Sequence, residues 1–167
     1  MTTTRFKGNT IHLDGQFLLP GSTAPEFSLI KGDLSAFTLS DCKGKHVVLN
    51  IFPSIDTGIC ATSVRKFNQL AASMPDTIVL CVSRDLPFAQ GRFCAAEGID
   101  HVMTLSDFRR TSTFGTDYGV QMIDGPLAGL LARAVVVIAP DGKVSHSQLV
   151  PEITNEPDYE TALATIQ

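Results

Sequence analysis

The chain has 167 residues, 44% of them hydrophobic and 18% charged, with a formal net charge of -4 and a pI of about 5.4. That size fits one domain over residues 1–167, able to bury a full core without staples, and the composition excludes a disordered chain. The longest basic groupings are Arg65-Lys66 and Arg109-Arg110, too little to neutralise a phosphate backbone, so no nucleic-acid partner is expected.

The opening stretch alternates around Asp14-Gly15, with Ile11, Leu13 and the run Phe17-Leu18-Leu19 supplying apolar residues, and predicts an N-terminal β-hairpin. Pro20-Gly21-Ser22 ends it, and short strands are predicted over 27–30 and 36–39. Residues 46–52, closed by Pro53, form a nearly continuous apolar run that reads as a buried central strand. After it, Asp56 or Thr57 suits a helix N-cap, and Cys60, Val64, Phe67 and Ala71 fall at helical spacing. Cys60 is thus placed in the first turn of a helix. A second buried strand follows over 77–83. Asp85 is expected to cap a further helix, with Pro87 in its first turn, Gly98 as its stop and Leu86, Ala89, Phe93 and Ala96 as its apolar stripe beside Cys94.

Residues 101–105 read as a short strand and 108–118 as partly helical. Segments 134–138 and 143–149 bracket the turn signal Pro140-Asp141-Gly142, and 158–166 reads as a closing helix. Strand, helix, strand, helix, then a hairpin and a helix is a thioredoxin-type α/β order: a central mixed sheet flanked by helices, carrying the N-terminal hairpin. The apolar run 134–139 is too short to span a membrane. The first residues show no apolar signal-peptide core, so a cytoplasmic, thiol-reducing setting is expected.

Cysteines stand at 42, 60, 81 and 94 and form no C-x-x-C pair. Histidines at 12, 46, 101 and 146 show no ligand spacing, so neither a metal nor another cofactor is expected. The thiolate is the reactive form of cysteine, and a free thiol with a pKa of about 8.5 is little ionised at neutral pH. The unpaired N–H groups and positive dipole end of a helix's first turn favour an anion there. Thr57 can bring its hydroxyl to the same turn and Pro53 can exclude water. Read alone, Cys60 fits either a nucleophile or a buried packing residue. Arg133 fits either a solvated strand start or the partner of an anion. Cys81, mid-strand, reads as core. Cys42, between Asp41 and Lys43, reads as a loop residue, a spectator or an adventitious oxidation site.

The pattern Pro53, Thr57, Cys60 after a buried strand resembles the active-site signature of the peroxiredoxins. Nearly the whole chain resembles one branch, the bacterial thiol peroxidases, which are atypical two-cysteine peroxiredoxins. The matching stretches are 52–58, 64–70, 85–90, 92–94, 124–127, 132–138 and 157–160. The resemblance implies that Cys60 attacks the peroxide and becomes a sulfenic acid. It implies that Thr57 and the helix amides hold the peroxide oxygens, and that Arg133 sets a positive charge beside the sulfur. Cys94 would resolve the sulfenic acid as an intramolecular disulfide.

Disulfide geometry needs Cα atoms within roughly 7 Å, which two separate helix positions are not expected to meet without local unwinding. The resemblance further implies thioredoxin as reductant, hydrogen peroxide and organic hydroperoxides as substrates, and a homodimer. Ile59, Phe88 and Phe93 are candidates for apolar substrate contacts. A redox switch that forms the same disulfide without efficient turnover is the alternative reading. A thioredoxin-like reductase is disfavoured by the missing C-x-x-C.

Overall fold

The structure, a computed structural model, describes residues 2–166. Strands β1 (Thr3–Phe6) and β2 (Asn9–Asp14) form the N-terminal hairpin. Its turn is Lys7-Gly8, both at positive φ (50° and 83°), as a two-residue hairpin turn demands. The predicted turn at Asp14-Gly15 is therefore corrected. Asp14 ends β2, and Gly15 is required because a Cβ there would collide with the Thr116 carbonyl. The Asp-Gly signal is the stronger one locally, but the register that buries Ile11 and Leu13 decides the pairing.

Next come β3 (Ser28–Ile30), β4 (Ala36–Thr38) and a single 3-10 turn, Leu39–Cys42. Cys42 ends that turn and is 2% exposed, so its reading as a loop residue is corrected. The apolar run then gives β5 (His46–Ile51), followed by α1 (Gly58–Ala71) and β6 (Thr77–Ser83). Helix α2 (Pro87–Glu97) starts on Pro87 and stops at Gly98 with φ 66°, as its sequence dictates.

Its predicted stripe is corrected, since Leu86 and Ala96 are exposed and the buried residues are Pro87 and Gln90, with Ala89, Phe93 and Cys94 half-buried. Strand β7 (Met103–Ser106) starts later than expected, and the segment to Tyr118 is helical only in α3 (Phe114–Asp117). A two-residue strand, β8 (Gln121–Met122), joins β2. Strands β9 (Ala134–Ile138) and β10 (Val144–Leu149) form the expected hairpin, and α4 (Tyr159–Ala164) closes the chain.

The main sheet has the order β10-β9-β5-β6-β7-β3-β4. Strands β5, β6 and β7 run parallel and the others pair antiparallel, so it is the mixed sheet expected. Alternation along the strands builds two faces. Val47, Leu49, Ile51, Leu80, Val82 and Val136 point to one side, against Phe27, Phe114 and Tyr118. Val48, Val79, Val135 and Val137 point to the other, against Phe67 of α1 and Ala162 of α4. Among the described residues no helix is long and apolar enough to cross a membrane.

Candidate active site

The site forms where β5 gives way to α1. Phe52 and Pro53 are buried at the strand end, Thr57 takes the N-cap position with extended backbone, and Cys60 is the third helical residue, 0% exposed. Helical bonding begins at Ala61, whose N–H donates to the Thr57 carbonyl at 2.9 Å. The N–H groups of Gly58, Ile59 and Cys60 thus have no intrahelical acceptor. The Thr57 hydroxyl does not cap the helix; it donates to the Ser54 carbonyl at 2.9 Å.

Sheet register brings Arg133 here. Ile51 pairs with Ala134 across β5 and β9, so the residue before β9 lies beside the residues leaving β5. Arg133 is 2% exposed, its Nη2 donates to Cys60 Sγ at 3.1 Å, and its Nε donates to the Ile153 carbonyl at 2.7 Å. Its Nη1 has no partner. Among the described residues no carboxylate forms an ion pair with this guanidinium. A buried cation costs several kcal/mol unless an anion compensates it, on the order of the desolvation penalty of one ion. The side chain that its Nη2 meets is that of Cys60.

Beside this turn lies a cavity of about 180 Å³, lined among others by Phe6, Pro53, Thr57, Ile59, Leu130 and Arg133. Of the three apolar contacts expected, Ile59 is there. Phe88 is not: it is 68% exposed and lines no part of the cavity. Phe93 packs instead on the inner side of the Cys60 helix, in the cluster of Phe52, Ile55, Cys60, Val64 and Cys81. The walls that sequence reading missed, Phe6, Leu127, Leu130 and Ile153, come from segments distant in sequence, and no local pattern marks them.

Cys94 is half-buried on α2, with Sγ 3.8 Å from Thr104 Oγ1. Burial pushes its thiol up, and the contact with the Thr104 hydroxyl opposes this. All four cysteines are free thiols: the Cys60 sulfur is held by Arg133 and the Cys94 sulfur by Thr104. Burial also pushes Cys42 up to about 11 and Cys81 up to about 12. Since the thiolate is the form that alkylates, iodoacetamide at pH 8 is expected to leave Cys42 and Cys81 unmodified in the native protein. Both should label once the chain is unfolded. Peptide mass mapping checks this, and labelling of native Cys42 would contradict it.

Asp85 does not cap α2, whose N-cap position is Leu86. Its carboxylate instead accepts from Ile55 N (2.7 Å), Ser54 Oγ (2.8 Å) and Ser83 Oγ (2.6 Å). Among the described residues no group of three His, Cys, Asp or Glu side chains is placed to hold a metal ion.

Comparison with known proteins gives the family. The Redoxin family model matches residues 19–163. A thiol peroxidase of Corynebacterium glutamicum is 52% identical, the match covering 99% of each chain. A thiol peroxidase of Mycobacterium tuberculosis is 56% identical over 96% of this chain and 95% of that one. The crystal structure of a peroxiredoxin-like protein from Aquifex aeolicus superposes with a TM-score of 0.94 at 42% identity, covering 99% of this chain and 96% of that chain.

Proposed function

The chain belongs to the Redoxin family as one of its thiol peroxidases, and on that premise we propose how its own residues reduce a peroxide. Cys60, as thiolate, attacks one peroxide oxygen of ROOH. The O–O bond breaks, Cys60 becomes a sulfenic acid and RO⁻ leaves to take up a proton as ROH. Arg133 favours the thiolate through a charge-assisted hydrogen bond to the sulfur. Its unpartnered Nη1 and the first amides of α1 are available for the charge that builds on the peroxide oxygens, and the Thr57 hydroxyl joins them once it turns from the Ser54 carbonyl. Pro53 keeps water from the sulfur and offers no N–H of its own. The single observation that carries this reading is the 3.1 Å contact between a buried guanidinium without a carboxylate partner and the sulfur of Cys60.

Cys94 then condenses with the sulfenic acid, forming the Cys60–Cys94 disulfide and releasing water. Its sulfur is seated against Thr104 and its thiol is kept neutral by burial, so it has to leave that seat before it attacks. Helix α2 and the first turn of α1 unwind locally to allow it. Thioredoxin returns the disulfide to the dithiol, and hydrogen peroxide and organic hydroperoxides serve as oxidants. The largely apolar walls of the cavity, Phe6, Ile59 and Leu130 among them, suit an organic R group. The chain works as one domain, in a reducing cytoplasm, as a homodimer.

Cys94→Ser tests the second half of the cycle. Its thioredoxin-coupled peroxide consumption is expected to fall at least about tenfold, with the unresolved sulfenic acid going on to sulfinic acid under excess peroxide. The first equivalent of peroxide should still be consumed at the wild-type rate. Full turnover in the variant, followed by a coupled assay and mass spectrometry, would contradict the resolving role.

A further inference from the structure

We propose that Asp85 is a positioning residue that latches the Cys60 loop to the Cys94 helix, so that the two cysteine segments open together. The latch is a continuous run of hydrogen bonds. Gln90, one helical turn before Cys94 on α2, is 1% exposed and donates from Nε2 to Ser83 Oγ at 3.0 Å. Ser83 Oγ donates to Asp85 Oδ2 at 2.6 Å. The same carboxylate oxygen accepts from Ile55 N at 2.7 Å, and Oδ1 accepts from Ser54 Oγ at 2.8 Å. Ser54 in turn accepts from Asp56 N at 3.2 Å through its hydroxyl and from the Thr57 hydroxyl at 2.9 Å through its carbonyl. Ile55, whose amide is held, packs in the same buried cluster as Cys60.

Two physical features make this a coupling device rather than a local tie. Donation into the Ser83 hydroxyl polarises its O–H toward the carboxylate, so links of such a run strengthen one another. Asp85 also lies two residues before the first residue of α2 and its carbonyl accepts from Ser106 Oγ, so a shift of that helix acts directly on the acceptor of the loop. Gln90 is bound at its amide nitrogen by Ser83 and by the Leu105 carbonyl (2.9 Å), while its Oε1 has no partner. Unwinding at Cys94 removes Gln90 from Ser83 and weakens the grip on residues 54 and 55. Oxidised Cys60 and resolving Cys94 are thereby released in one event.

The inference rests on the Cys60–Cys94 disulfide proposed above, so its test has one arm that does not depend on that chemistry. Hydrogen exchange of the reduced protein is compared for wild type, Ser54→Ala, Gln90→Leu and the double variant. Gln90→Leu is expected to speed exchange at 54–62 by about threefold to tenfold, the worth of one such hydrogen bond. Ser54→Ala is expected to do the same at 90–96, and the double variant to fall short of the product of the two.

At one high peroxide concentration, both single variants should shift Cys60 from sulfinic acid toward disulfide by about threefold or more. Asp85→Asn, which sets an amide N–H among three donors, should exceed both; should it not fold, the two outer variants carry the test. Exchange that loosens only the mutated segment, or an unchanged partition, overturns the latch. Coupled exchange without any wild-type Cys60–Cys94 disulfide overturns the proposed cycle instead, and with it the role of the latch in catalysis.

Discussion

Serine at position 60 is expected to lower peroxide consumption to the background of free thiols, a loss on the order of a thousandfold or more, the scale on which removal of a nucleophile acts. Serine has nearly the same shape, with a small oxygen in place of the large, polarisable sulfur, and its hydroxyl does not ionise at neutral pH. The neighbours stay in place: the Arg133 guanidinium can still donate to the side-chain oxygen, and the carbonyl of residue 60 still accepts from Ser63 Oγ, a contact of 2.8 Å. Cys60→Ser is therefore expected to fold with near wild-type stability while turning over nothing. A thioredoxin-coupled assay alongside thermal unfolding separates the two quantities. Retained turnover would move the nucleophile to another cysteine. Cys42 and Cys81, buried and pushed up to about 11 and about 12, are poorly suited to it.

Arg133→Met is the second large effect, and it splits stability from rate. The guanidinium is buried and donates to the Cys60 sulfur, and among the described residues no carboxylate pairs with it. Methionine fills much of the same space without a charge to desolvate, and such exchanges of a buried ion are often neutral or stabilising. Against this, the buried Ile153 carbonyl loses its donor, which costs about 1–3 kcal/mol. Stability is expected to fall by no more than that amount. The rate of Cys60 with peroxide is expected to fall about tenfold to a hundredfold, as hydrogen bonds to a charged group contribute roughly 1.5–3 kcal/mol. Quenched-flow alkylation with mass spectrometry measures that rate. An unchanged rate would mean that the guanidinium is structural and that the helix terminus alone prepares the sulfur.

The parts of this site that sequence reveals are those built by local pattern. The apolar run ending in Pro53 and the spacing of Cys60, Val64 and Phe67 place the cysteine at a helix start, which is where it lies. Arg133 is different. Nothing near it in the chain says what it faces, and only the pairing of Ile51 with Ala134 turns a residue 73 positions away into the neighbour of Cys60. Its place before a buried strand suits the partner of an anion without saying which, and resemblance to the peroxiredoxins is what implies the sulfur.

Asp85 shows a local signal losing to a tertiary one. An acidic residue just before Pro87 suits an N-cap, but three donors from the Cys60 loop and Ser83 claim the carboxylate. Gln90 escaped the predicted stripe because it is polar; its burial depends on acceptors at Ser83 and Leu105, which no helical period encodes. Strand β8 has two residues, too few for any periodicity, and exists because Leu13 and Asp14 pair with it.

The most direct test of the cycle is disulfide mapping by mass spectrometry after one equivalent of peroxide is added to the fully reduced protein. A single new bond between Cys60 and Cys94 is the expected result, with Cys42 and Cys81 still free thiols. A bond from Cys60 to Cys42 or Cys81, or oxidation that leaves Cys60 untouched, would contradict the assignment of Cys60 as nucleophile and Cys94 as its resolving partner.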